Sequence, residues 1–354
     1  LAALLVWQFV PESPGAKRTV AVLGFRNQTG DAVLDTLREA IPNLLITSLE
    51  QSKHLRVTSW ERLKDLLRQS GRDEAALYDQ EAGFEVCRKS GIEALVVGSF
   101  YKAGETFVTD VKVYDAATRD SLKSASARGE GVASILKSQI DEISREVGRG
   151  IGKPLLKIEA PVRPIMELTT SSMEAYNLFL RGRSEYEKYY HVEAERSLEQ
   201  AIALDPEFAM AYLYLSRSAV NLFDTDLAHE AMEKAFRYSA KASEKERLSI
   251  AAGYAEIVER DPDKRIRLLQ EFVRKYPDEK YALLDLGRLY QGRREYPESV
   301  TMLERAVALD PDFGFAVNQL AYSYAMMGDF DEALRLFARY AELNPGDANP
   351  RDSI

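Results

Sequence analysis

Four prolines constrain what the second half of this 354-residue chain can become. Pro277, Pro311 and Pro345 stand 34 residues apart, and Pro206 precedes Pro277 by 71, two such intervals with three residues added. A proline ends a helix because it lacks an N–H and restricts its predecessor. Small residues keep the same ruler at Gly182, Ser216, Gly253, Gly287 and Ala321, and again at Ala194, Ala228 and Ala333, with large apolar residues between them. A unit of this length holds two helices and a turn, and buries its apolar face only by stacking on a neighbour. The pattern predicts five helical hairpins beginning near Ala175, Ala209, Glu246, Lys280 and Gly314, the third being the most degenerate.

The segments ending Ala-Leu-Asp205-Pro206 and Ala-Leu-Asp310-Pro311, with Leu-Gly287-Arg-Leu-Tyr290, resemble the tetratricopeptide consensus over about half the chain. In such solenoids the first helix of each repeat lines a concave surface suited to a peptide or protein ligand. Counting from the repeat starts, that stripe contains Tyr176, Phe179, Arg183 and Tyr186, then Leu213 and Arg217, Tyr254, Tyr281 and Arg288, and finally Phe315, Asn318 and Tyr322. Tyrosine and arginine are enriched where binding energy concentrates, and a guanidinium suits a carboxylate. The competing reading is that several of these side chains pack between helices.

The first half alternates strand and helix signals. Thr19–Phe25 reads as a buried strand, followed by a helix that Asp31 caps and that Pro42 kinks or restarts. Leu55–Thr58, Glu93–Phe100 and Ser121–Arg128 read as strands, Trp60–Leu67 and Gly83–Ser90 as helices. Beyond a turn at Lys102–Glu105, Phe107, Thr109, Val111 and Val113 alternate with their neighbours at period two. Leu136, Ile140, Ile143, Val147 and Ile151 then form one helical stripe. This is a compact α/β domain over 17–153. Pro154, Pro161 and Pro164 mark 154–170 as an extended linker, and 171–354 carries the repeats.

Residues 1–16 differ from the rest. Leu1–Val10 is apolar but for Gln8, about half the length of a spanning helix, and is expected to be the end of a transmembrane segment stopping near residue 10. The last residues read as the start of a sixth unit.

Composition narrows the function classes. A net charge of −9 without a basic cluster argues against a nucleic-acid partner, and the single Cys87 rules out an internal disulfide framework. Asp312-Phe-Gly314 spells the metal-binding triplet of kinases, but the other kinase signatures are missing and it falls between two repeats. Gly148–Lys153 has Val147 and Pro154 where a phosphate loop needs Gly and Ser or Thr, so its glycines are expected to end a helix. His54, His191 and His229 are scattered, and no acidic pair is singled out by spacing. The expectation is a binding protein with no catalytic residues, cofactor or metal.

Val20–Gly30, Ala94–Ser99 and Val111–Thr118 resemble the TolB-like or FlgO-type domains of bacterial envelope proteins. That resemblance implies the extracytoplasmic region of a single-pass membrane protein whose other side carries a kinase, a class III cyclase or a DNA-binding domain. The implied role is a sensor or protein-interaction region that binds a peptide or protein, with an envelope assembly scaffold as the alternative. The architecture also admits a homodimer.

Overall fold

The computed structural model describes residues 17–151 and 163–344. The apolar amino-terminal run, most of the linker and the start of the expected sixth unit lie outside them.

Strands β1 (Arg18–Val22), β2 (Arg26–Asn27), β3 (Leu55–Val57), β4 (Ala94–Ala103), β5 (Thr106–Asp115) and β6 (Ser121–Glu130) form one sheet in the order β3-β1-β4-β5-β6, with β2 also paired to β4. β3, β1 and β4 run parallel; β4, β5 and β6 form an antiparallel meander. Helix α1 (Leu37–Leu49) connects β1 to β3, and α2 (Trp60–Gln69) with α3 (Gln80–Ser90) connects β3 back across to β4. The two crossovers travel in opposite directions, so the right-handed rule puts α1 and α3 on opposite faces. Phe107, Thr109, Val111 and Val113 are all buried, as is the stripe of α4 (Ile140–Ile151), which packs on β6. On the opposite face Tyr114 meets Phe84 of α3 edge to face at 5.5 Å.

Three local expectations are corrected. Asp31 caps a short 3-10 turn, Ala32–Thr36, and α1 then runs unbroken through Pro42. Pro42 cannot donate to the Arg38 carbonyl, but that carbonyl accepts from Phe25 N–H at 3.0 Å, so no acceptor is left over. Gly148 and Gly150 lie inside α4, while Gly152 lies outside the described residues; a Cβ on Gly150 would stand 2.4 Å from Lys123 Cβ, so glycine lets the helix touch β6. The end of the linker is helical, α5 (Ile165–Leu168), and anchored: Ile165 N–H donates to Asp141 at 3.0 Å, and Arg163 reaches the Ala240 carbonyl at 2.7 Å.

Among the described residues the repeats are ten helices in five hairpins: α6 (Met173–Glu187) with α7 (His191–Leu204), α8 (Ala209–Asn221) with α9 (Thr225–Arg237), α10 (Glu244–Ile257) with α11 (Pro262–Lys275), α12 (Lys280–Gly292) with α13 (Tyr296–Leu309), and α14 (Gly314–Met327) with α15 (Phe330–Leu343). The backbone carries its own ruler. Positive φ occurs between the helices of each hairpin, at Tyr189, Phe223, Arg260, Arg294 and Gly328, always 34 residues apart except for one gap of 37. The three added residues form the 3-10 turn Ser239–Lys241 between α9 and α10, the turn that Arg163 grips. The small residues sit where helices nearly touch: a Cβ on Gly182 would stand 2.7 Å from Leu198, and one on Gly287 2.6 Å from Leu303. In the third unit the nearest atom to such a Cβ on Gly253 is Met232 of the preceding hairpin, at 2.8 Å, which matches its degenerate pattern.

Candidate interaction surface

The first helices of the repeats form the inner face of the solenoid, and the chain's own α/β domain packs into it. Arg183 on α6 donates to Asn43 of α1 at 3.0 Å and pairs with Glu61 of α2 at 3.2 Å and Glu39 of α1 at 3.6 Å. Lys64 of α2 pairs with Glu187 at 3.2 Å. Lys245 on α10 lies 3.2 Å from Glu50, just past α1, and 2.6 Å from Glu279. Further along, Lys280 on α12 lies 2.7 Å from Asp65 and 2.6 Å from Asp310, and Arg68 closes the square at 2.8 Å from Asp310 and 3.0 Å from Asp65. Arg62 and Gln69 both donate to the Leu309 carbonyl, Gln69 at 2.7 Å. α2 thus bridges the first and fourth hairpins.

Burial sets the electrostatics of this seam. Burial alone would raise the Glu61 carboxyl, but Arg183, Lys64 and Lys245 outweigh it and hold it at about 2. Burial wins at Glu50, pushed up to about 7, because Lys245 is shared with Glu279. Asp310 is lowered: hydrogen bonds and charge from Lys280 and Arg68 overcome its burial. Asp65 is raised by burial despite Lys280.

The stripe read from the sequence divides accordingly. Tyr176, Phe179 and Leu213 are buried in the apolar cluster that runs on into the α/β domain. Phe179 packs on Phe208 at 5.0 Å and Tyr214 at 5.7 Å. Asn318 is buried with its Oδ1 unpartnered. Tyr322 packs on Phe337 at 5.0 Å and Tyr254 stacks on Phe236 at 4.1 Å. Arg183 is spent on the seam. A peptide lying over Arg183 would have to displace α1 and α2.

The remaining members are half-buried or exposed, and an aromatic mouth opens where the first and fifth hairpins meet at Tyr189 and Phe315. Tyr186 meets Tyr214 at 5.5 Å, and Arg217 lies over Tyr214 at 5.3 Å while donating to Ser249 at 2.9 Å. Tyr281 and Phe315 remain 50% and 46% exposed, and Arg288 is exposed. Phe315 lies 5.7 Å from Tyr189, 60% exposed, so the first hairpin's turn meets the fifth hairpin's first helix. Tyr189, Tyr214, Lys245 and Lys280 escaped the sequence reading. Tyr189 sits in a turn outside the helical count, and no repeat position announces a lysine partnered by another domain.

The arrangement defines a class: an α/β domain clasped by a solenoid of helical hairpins. Residues 284–348 match the family model described as tetratricopeptide repeat. No curated protein matches the chain. Among solved structures it is similar to TTC0263, a thermophilic tetratricopeptide protein of Thermus thermophilus, with 23% identity over 50% of this chain and 95% of that one, TM-score 0.38. It is also similar to YrrB, described as having an unusual peptide-binding site, with 17% identity, coverages of 51% and 91%, and TM-score 0.34. A third is MamA AMB-1, with 22% identity, coverages of 48% and 99%, and TM-score 0.35. These scores carry no function across; the repeat assignment stands on the matched residues and the 34-residue ruler. Among the described residues no group of three or more His, Cys, Asp or Glu is placed to hold a metal, and no helix is long and apolar enough to cross a membrane.

Proposed function

We propose that this chain is a protein-interaction region whose solenoid is set in shape by its own α/β domain and presents the aromatic mouth to a peptide or protein segment. The observation that carries the reading is the contact of exposed Tyr189 with exposed Phe315 at 5.7 Å, with Tyr281 and Arg288 exposed two turns apart on α12. Exposed aromatic rings bind at low entropic cost, and an arginine at the rim favours an acidic segment. In this proposal the region lies outside a bacterial membrane, tethered by a single helix ending near residue 10, and ligand binding biases a signalling domain on the far side. That setting is supported by the TolB-like and FlgO-type resemblance of Val20–Gly30 and its companions.

The experiment is photo-crosslinking in the producing bacterium from a benzophenone amino acid at position 315, with position 199 on the outward side of α7 as control. A discrete protein adduct from 315, absent from 199 and lost when Tyr281→Ala and Arg288→Glu are added, supports the proposal. Equal adducts from both positions, or adducts indifferent to those substitutions, sink it. The ion-paired seam favours a second reading, an envelope assembly scaffold without signalling output; a kinase, cyclase or DNA-binding domain encoded ahead of Leu1 would favour the first.

A further inference from the structure

A second concave site lies in the α/β domain, away from the solenoid. Beyond the edge of α3 the meander's outer face forms a cleft of about 480 Å³, lined by Arg26, Tyr78, Asp110, Lys112, Tyr114 and Ser126 among others. That volume is within the range of small-molecule sites.

The sheet register sets out the charges. Arg26 pairs with Ser99, Ser99 with Asp110, and Asp110 with Ser126, so these four form one row across β2, β4, β5 and β6. Directly paired residues share a face, so the row lies on the open side. Lys112 is two residues along β5 on the same face, opposite Val97 and Ser124. With strands about 4.8 Å apart and a rise of about 3.4 Å per residue, Asp110 stands about 10 Å from Arg26 and about 7 Å from Lys112 by backbone position.

No salt bridge or side-chain hydrogen bond to a described residue is made by Arg26, Asp110 or Lys112, although ion pairs are dense over the rest of the molecule. Nor do the hydroxyls of Ser99, Ser124, Ser126, Tyr78 and Tyr114 have such partners. Two glycines keep the wall in place: a Cβ on Gly24 would stand 2.3 Å from the Tyr78 ring, and one on Gly98 2.4 Å from Phe25. Arg38 lies 3.8 Å over the Tyr78 ring and packs on its face.

We propose that this cleft binds a free amino acid as its zwitterion. Asp110 takes the ammonium group, Lys112 and Arg26 take the carboxylate, the serine hydroxyls complete the hydrogen bonds, and Tyr78 and Tyr114 flank the side chain. A carboxylate at the corner between a cation across the strands and one along β5 is complementary to adjacent opposite charges on a small ligand, and less so to a simple anion or cation.

The test is calorimetric titration of the whole chain with the free L-amino acids, followed by the N-acetyl derivative and the amide of the tightest binder. Saturable binding at millimolar concentration or below is expected, weakened about tenfold or more by either block, the loss of one charge-assisted contact. Asp110→Asn should weaken the free amino acid and leave the N-acetyl derivative unchanged; Lys112→Gln should do the same with respect to the amide. Both sites are partly or fully exposed, so folding is preserved. No saturable binding by any amino acid, or binding indifferent to both substitutions, would overturn the proposal.

Discussion

At position 223 a phenylalanine 90% exposed holds φ at 61°, a conformation the other hairpin turns also require and that the fifth supplies with Gly328. A side chain there costs about 1–2 kcal/mol relative to right-handed backbone, partly offset in glycine by its greater unfolded freedom. Phe223→Gly should therefore raise stability by about 0.5–1 kcal/mol, seen as a higher urea midpoint; a lower midpoint would mean that the ring makes contacts its exposure denies. Nothing in the sequence marks this position, because the ruler lies in prolines and small residues, and Tyr, Phe and Arg here carry no turn signal.

Two carboxyls of the seam titrate in opposite senses. Glu61, held at about 2 against an ordinary 4.5, contributes stability above pH 4.5 that is lost as pH falls toward 2. Glu50, raised to about 7, binds its proton more tightly when folded, so its contribution is full below pH 4.5 and declines as pH rises through 7. The joint contribution of these two groups is greatest near pH 4.5, where the two windows meet. Glu50→Gln should lessen the decline between pH 4.5 and 7 and stabilise the chain at pH 8, by up to about 3 kcal/mol. Denaturant melts of both proteins across pH 3–9 would check this; an unchanged slope on the alkaline side would count against it.

At the scale of elements, most of the fold is legible in the sequence. Period two on β5, the apolar stripe of α4 and the 34-residue ruler each follow from which face meets the core, and each matches the structure. What could not be read is settled by partners distant in sequence: Pro42 stays in α1 because Phe25 takes the freed carbonyl, and Gly150 stays in α4 because Lys123 leaves no room for a Cβ. Gly182→Ala and Gly287→Ala should each destabilise by about 1–3 kcal/mol through overpacking against Leu198 and Leu303. Gly292→Ala, at the end of α12 with nothing within 4 Å of the new Cβ, should be neutral or gain up to about 1 kcal/mol. Equal thermal shifts in all three would contradict this account of the hairpin contacts.

For the whole molecule the central claim is that the solenoid's inner face is held by α1 and α2. Repeat counting identifies the stripe but not its occupant, because a periodic pattern specifies which face is lined and not what fills it. Asp310 shows the difference: in sequence it belongs to a repeat-ending Asp-Pro step, yet it is 2% exposed and pinned by Lys280 and by Arg68 from the other domain. Removing its carboxylate leaves Lys280 and Arg68 sharing Asp65 and ends their hydrogen bonds to Asp310, a change expected to destabilise by about 1–3 kcal/mol. The decisive measurement is the urea unfolding curve of Trp60 fluorescence in a Trp7→Phe background, where Trp60, buried at the start of α2, is the remaining tryptophan. Asp310→Ala, about 250 residues away in sequence, should shift the Trp60 midpoint down together with the helical circular dichroism. A Trp60 transition that stays in place while the helical signal moves would show the two domains standing apart and would contradict the clasped arrangement.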